Sequence, residues 1–474
     1  MDATETSSLR RALIPFALAQ FICSFAGSNM NVMINDISED LDTTVAGVQL
    51  AITIFLLVMA ALMIPGGKLT DRVGRKRCLT VGLLVYAVGA LLSAAAPGLG
   101  VLIIGNSILE GIGTAMLIPP VYILTTLLFT DVTSRAKAFG AISALGGIGA
   151  AAGPLIGGFI TTAISWRAAF VFQAAVVLLI AVLSRRWVRD PLPPDPTRPT
   201  DPVGAVLSAL GLILVVSGIL AADNNGWLML GLLVAGAAVL TWLFFMIRAK
   251  ERVGKPVLLS TELFRNRMSN LGMVTQCAQW LMLMGTSFVV SAYLQVERGY
   301  NAIETGVVFT ATTAGLLLSS LAAERFARRR AQRTLILAGF LITVVGVVLL
   351  LTLVFASGSV WAFIPGLFVI GFGLGGMLTP SVNVVQSAFG ENLQGEISGL
   401  SRSVSNLGSA LGGAVAGTIL VAGLGTQPGT AYVLAMLAVG VTGAIGLVAA
   451  WFLPDRPAPA PAGAGPDRSA PAPA

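Results

Sequence analysis

Residues 66–77 read GGKLTDRVGRKR. Half of these side chains are charged, and the glycines at 66, 67 and 74 let so short a segment turn tightly. The flanking runs, 45–65 and 78–96, contain no Asp, Glu, Lys or Arg. About 20 apolar residues are enough for a helix to cross a bilayer. The stretch is therefore the reversal between two membrane spans, and the rest of the chain is read outward from it.

Fourteen apolar runs follow one another, at about 12–34, 45–65, 78–96, 101–129, 139–163, 168–184, 203–222, 227–247, 271–294, 303–323, 334–356, 360–389, 396–423 and 431–452. They are continuous rather than alternating, which excludes a β-barrel. The 474 residues are 55% hydrophobic and 11% charged, against about 25% charged in soluble domains. So few charges do not cover a water-facing surface. An all-α integral membrane protein with fourteen transmembrane helices is expected. Nucleic-acid binding, a soluble enzyme and a secreted disulfide scaffold do not fit this composition. The chain has no histidine, which removes His-based catalysis, the common zinc sites and a histidine proton relay. Cys23, Cys78 and Cys277 are far apart and read as small buried hydrophobes. No metal or cofactor is expected, and any proton carrier must be a carboxylate.

The charges test the count of spans. Of 29 basic residues, 26 precede span 1 or follow spans 2, 4, 6, 8, 10 and 14, all on one face. Arg167 and Arg298 lie on the other face, and Arg402 lies within span 13. The positive-inside rule puts both termini in the cytoplasm. The net charge of +7 then records orientation rather than an acidic partner. Span 1 lacks a clean small-x-small cleavage site and reads as a permanent anchor. The expected organisation is a cytoplasmic N-terminus (1–11), a six-helix bundle (12–184), a Pro-rich cytoplasmic loop (185–202) and two inserted helices (203–247). A cytoplasmic loop (248–270), a second six-helix bundle (271–452) and a disordered Pro/Ala-rich tail (453–474) complete it. The halves repeat: SLAAERFARRRA (320–331) follows span 10 as 66–77 follows span 2, aligning Glu324 with Asp71 and Arg328–Arg330 with Arg75–Arg77. Repeated halves around a central site are a transporter architecture.

GGKLTDRVGRKR resembles motif A of the major facilitator superfamily, carried here by Gly67, Leu69, Asp71, Arg72, Gly74, Arg75 and Lys76. A carboxylate among arginines makes a charged latch between helix bundles. The resemblance implies a partner near the start of span 13, where Glu391 and Glu396 are placed to meet Arg72 or Arg75. LGGIGAAAGPLIGG (145–158) resembles motif C, the antiporter signature, through Gly146, Gly149, Gly153, Pro154, Gly157 and Gly158. Small residues let neighbouring helices touch, and Pro154 removes a helical hydrogen bond. SWRAAF (165–170) and YLQVERGYNAIETG (293–306) are similar to segments of the 14-span drug:proton antiporter branch. The resemblance implies two six-helix repeats with two inserted helices, in a bacterial cytoplasmic membrane. The chain departs from that branch at Asn29, where an Asp is usual, and at Ser107 and Glu110, where Arg and Gln are usual.

Glu110 is about ten residues into span 4, about 15 Å deep at 1.5 Å per residue. An ionised carboxylate there costs about 3 kcal/mol, and no Lys or Arg lies inside another first-half span. A carboxyl whose protonation follows solvent access suits a proton-coupled exchanger. Glu110 is the first proton-coupling candidate and Asp36, at the end of span 1, the second. Gln20, Ser24, Ser28, Asn31 and Asn35 recur every three or four residues on one face of span 1, beside Asn29. Asn106, Ser107 and Thr114 in span 4, Gln276, Gln279, Trp280, Met284 and Ser287 in span 9, and Thr379, Asn383 and Gln386 in span 12 add to it. In the family the corresponding spans line a central cavity. The expected function is export of a lipophilic or amphiphilic compound by alternating access in exchange for protons, with a monomer as the working unit. A lipid or small-metabolite transporter of the same fold without proton coupling stays open. A membrane-embedded transferase lacks the His, paired carboxylates or large loop it needs. No G-x-x-x-x-G-K-[ST] loop for ATP occurs.

Overall fold

The computed structural model describes residues 3–129, 132–191, 193–194, 201–221, 225–327, 331–357, 359–389, 393–424 and 427–454. Glu391, Arg328–Arg330 and nearly all of the Pro/Ala-rich tail lie outside these residues, as do the side chains of Asp71 and Glu324. Among the described residues there is no strand, and thirteen helices are long and apolar enough to span a membrane. A bent pair, Ala138–Ala150 and Ala152–Ala163, makes a fourteenth.

The first six are α1 (Ala3–Asn29), α2 (Val45–Val73), α3 (Arg75–Ala94), α4 (Leu99–Leu128), α5 (Val132–Ala163) and α6 (Trp166–Trp187). Then come α7 (Pro202–Leu220) and α8 (Gly226–Arg252). The last six are α9 (Arg267–Ala292), α10 (Ala302–Ala327), α11 (Gln332–Ala356), α12 (Phe363–Gln386), α13 (Gln394–Leu424) and α14 (Pro428–Trp451). Polar side chains start several of them. Thr44, Ser165, Asp201, Asn225 and Asn266 each accept a hydrogen bond from the first turn they precede, a contact worth about 1 kcal/mol. Between α2 and α3 the reversal is made by Gly74 alone, at φ 103°, a conformation that L side chains rarely adopt.

Two helices depart from regular α geometry where polar residues sit. In α4, residues Ile103–Glu110 form a π-helical segment, and α9 runs on into a second one, Tyr293–Glu297. Helix α5 bends by 43° between its halves. Pro154 lies just beyond the bend and supplies no N–H for the carbonyl of Ala150.

The fold is two six-helix bundles, α1–α6 and α9–α14, with α7 and α8 inserted between them. The bundles meet along two seams, α2 against α13 and α5 against α10. At the second seam the backbones nearly touch, since a methyl group on Gly158 would stand 2.3 Å from the Ala302 carbonyl oxygen. Helices α7 and α8 pack on each other, and α7 also contacts both α2 and α13. Val216 of α7 is buried there with Leu57 of α2 and Ala414 of α13. Only 17% of the apolar window of α8 is buried, so most of this helix presents its side chains to lipid.

Candidate functional site

Between the bundles lie two adjoining cavities that share Ala150 and Met284. The larger, about 540 Å³, is lined by Gln20, Ser24, Trp280, Met284, Arg402 and Asn406 together with apolar side chains of α1, α2 and α9. The smaller, about 450 Å³, is reached by Ser28, Pro154, Met284 and Ser287. Of the residues expected at the cavity, Gln20, Ser24, Ser28, Trp280, Met284 and Ser287 are thus brought together.

The others take different places. Asn31 donates to the Ser287 hydroxyl at 3.1 Å, and its carbonyl accepts from Gln295 at 2.8 Å. Asn29 is fully buried beside Gly157, and neither polar atom of its side chain has a hydrogen-bond partner. Asn106 is likewise buried with both side-chain atoms unsatisfied, while Ser107 donates to the Ala51 carbonyl at 2.7 Å. Gln276 accepts from Ser401 at 2.8 Å, and Gln279 donates to the Leu374 carbonyl at 3.2 Å. Asn383 is exposed and Gln386 half-buried at the end of α12. None of these eight lines either cavity. Asp36 is half-buried in the short helix Ile34–Asp40 and also lies outside both.

Glu110 is fully buried within the first bundle. Its polar neighbours are Tyr86 and Ser93 of α3, and neither carboxyl oxygen makes a hydrogen bond of good geometry. The carboxyl group therefore faces α3 and does not line the cavities. Cys23 of α1 lies between the two regions: its thiol is 3.8 Å from the Thr114 hydroxyl of α4, and the Cys23 side chain lines the larger cavity.

Polar contacts join the bundles on both faces of the molecule. On the face opposite residues 66–77, Asn31 and Asn35, just beyond α1, meet Ser287 of α9 and Gln295 of its π-helical extension. There too Gln49 donates to the Gly413 carbonyl at 2.9 Å, and Thr162 accepts from the Ile303 amide at 3.1 Å. On the other face Lys68 pairs with Glu396 at 2.8 Å, and Glu396 also accepts from the Ser260 amide at 2.9 Å. The expected partner of Glu396 was Arg72 or Arg75. Arg75 instead turns back within its own bundle, where Asp190 accepts from its amide at 2.9 Å and lies 4.0 Å from its guanidinium. Lys76 donates to the Arg185 carbonyl at 3.0 Å. The glycines of 145–158 serve the approach of α5 to its neighbours: Gly149, Gly153 and Gly157 face α1, and Gly158 faces α10.

Four functional candidates escape sequence reasoning: Lys68, Tyr122, Asp190 and Arg402. Arg402 donates to the Tyr122 hydroxyl, and its guanidinium stands 4.6 Å from the centre of that ring. Its signal was available, since it is the one cation inside an apolar run. Among the described residues no group of His, Cys, Asp and Glu side chains is spaced to hold a metal ion.

The family model of the Major Facilitator Superfamily matches residues 16–248, 202–413 and 273–473. The chain is 30% identical to the puromycin resistance protein pur8 of Streptomyces alboniger over 413 residues, 86% of this chain and 81% of that protein. It is 28% identical over 412 residues to the multidrug efflux pump LfrA of Mycolicibacterium smegmatis, covering 87% and 81%. A crystal structure of a POT family transporter in complex with 5-aminolevulinic acid superposes with a TM-score of 0.68 at 15% identity, over 92% of this chain and 96% of that one. Two bundles, a cavity between them and family matches along almost the whole length agree: this chain is a multi-pass membrane transporter of the Major Facilitator Superfamily, with drug- and antibiotic-efflux pumps among its relatives.

Proposed function

We propose that this transporter exports small lipophilic or amphiphilic compounds across a bacterial cytoplasmic membrane by alternating access, in exchange for protons, with both termini in the cytoplasm and a single chain as the working unit. One observation carries the reading. The bundles are joined on each face of the molecule by a separate set of side-chain contacts, with the central cavities between them. Rocking one bundle against the other breaks one set while the other holds, and exposes the cavity to one side at a time. The names of the relatives, puromycin resistance and multidrug efflux, support a drug-like cargo.

Glu110 is the proton carrier of this reading. Its carboxyl group is fully buried against Tyr86 and Ser93 of α3, and among the described residues no cation pairs with it. Movement of α4 against α3 and α1 would wet it and release its proton. The test is transport by purified protein in liposomes, with and without a pH gradient, over a panel of dyes, antibiotics and lipids. Glu110→Gln, neutral at every pH, is expected to abolish the pH-driven part and leave exchange down a substrate gradient. Unchanged pH-driven transport in that variant would remove Glu110 from the mechanism. No pH-driven transport in the parent protein would favour the uncoupled transporter of the same fold.

A further inference from the structure

The larger cavity contains one fixed charge, and it is positive. Arg402 emerges from α13 into a space whose other lining residues, among those described, are neutral, and none of the described residues lining the smaller cavity is charged. Among the described residues no carboxylate pairs with it. We propose that Arg402 docks an anionic head group, so that the cargo is an amphiphile bearing a carboxylate or ionised phenol on an apolar, aromatic body. The inference rests on the exporter reading and gives it a substrate class.

A guanidinium stays protonated at any working pH. In a membrane interior it needs water, a counter-ion or a ring face. Tyr122 supplies the ring face and one acceptor. The Tyr122 hydroxyl in turn donates to the Gln20 side-chain oxygen at 3.1 Å, which fixes the phenol and, through it, the guanidinium. Most of the N–H donors of Arg402 remain for a ligand. A planar fork of donors matches a carboxylate in two parallel hydrogen bonds. Around it Leu56, Met59, Met63, Trp280 and Met284 present aromatic and thioether surface, which adapts to bodies of varied shape. A lipophilic cation would fit the same walls and be repelled by the same charge.

The probe is a matched pair: rhodamine B, which carries a free carboxylate, and its ethyl ester, which has the same ring system without one. Binding of each to the purified full-length chain in nanodiscs is read by fluorescence anisotropy. The parent protein should bind rhodamine B about tenfold more tightly than the ester, the scale of a charge-assisted hydrogen bond. Arg402→Gln should bring the two within about twofold, weakening rhodamine B and relieving the repulsion of the cationic ester. Arg402→Lys keeps the charge but loses the fork, and should retain part of the preference. Equal or tighter binding of the ester by the parent protein overturns the proposal even if no variant folds. So does an Arg402→Gln protein that still selects rhodamine B. If the carboxylate preference holds but neither dye moves in liposomes under a pH gradient, the exporter reading fails and the anion site stands.

Discussion

Lys68 and Glu396 show how a latch can be weak by construction. Their side chains are 28% and 24% exposed, and a pair so open to water contributes about 0–1 kcal/mol. That is little enough to break once per transport cycle. Reversing either charge alone, Lys68→Glu or Glu396→Lys, should slow transport in liposomes about fivefold, and the double exchange should restore most of it. A double variant no better than the singles would assign the pair an anchoring role only. The sequence placed basic residues here but not the one that crosses. Ile64 and Lys68 are four apart on α2, and Ile64 lies against Gly399 of α13, so the helix period turns Lys68 to the same neighbour. Arg75, beyond the Gly74 reversal, starts a new helix and faces Asp190 instead. Charge is visible in a string of letters; the face of a helix that presents it depends on where each helix begins.

Single helices were legible to different degrees. The fourteen spans follow from apolar length and charge alternation, and the bend of α5 from Pro154. What could not be read is the π-helical segment Ile103–Glu110. Hydrogen bonds there run to the fifth residue rather than the fourth, so the 3.6-residue register no longer says which way Glu110 points. The sequence located this carboxyl by its depth in the span, and the structure buries it against α3. In α5 the register holds, and the glycines can be tested one by one. A methyl group at Gly149 would stand 2.2 Å from the Phe21 carbonyl oxygen. Gly149→Val should push α5 off α1, cost about 1–3 kcal/mol of overpacking and lower the thermal midpoint of the purified protein. Gly140, with open space around its Cβ position, should accept Ala with no measurable shift.

For the whole molecule, the alternating access proposed above makes the two ends of the cavity the moving parts. Asn31 and Ser287 touch across the bundles at the end opposite residues 66–77. Asn31→Cys with Ser287→Cys, in a chain whose Cys23, Cys78 and Cys277 are replaced, should form a disulfide under oxidation. Transport should then stop and return on reduction. Full transport in the cross-linked protein would show that this end does not open. The division into halves was legible from the repeated basic loops; the seams were not, because they are built from small and apolar residues that resemble any lipid-facing surface.

The inserted pair makes those seams unequal. By lying over α2 and α13 together, α7 shutters one flank of the molecule with Val216 as its bolt. Among the described residues the other flank, α5 on α10, has no such cover. A helix that leans on both bundles at one flank braces them against each other there, whereas the facing flank is held by the close backbone approach of α5 to α10.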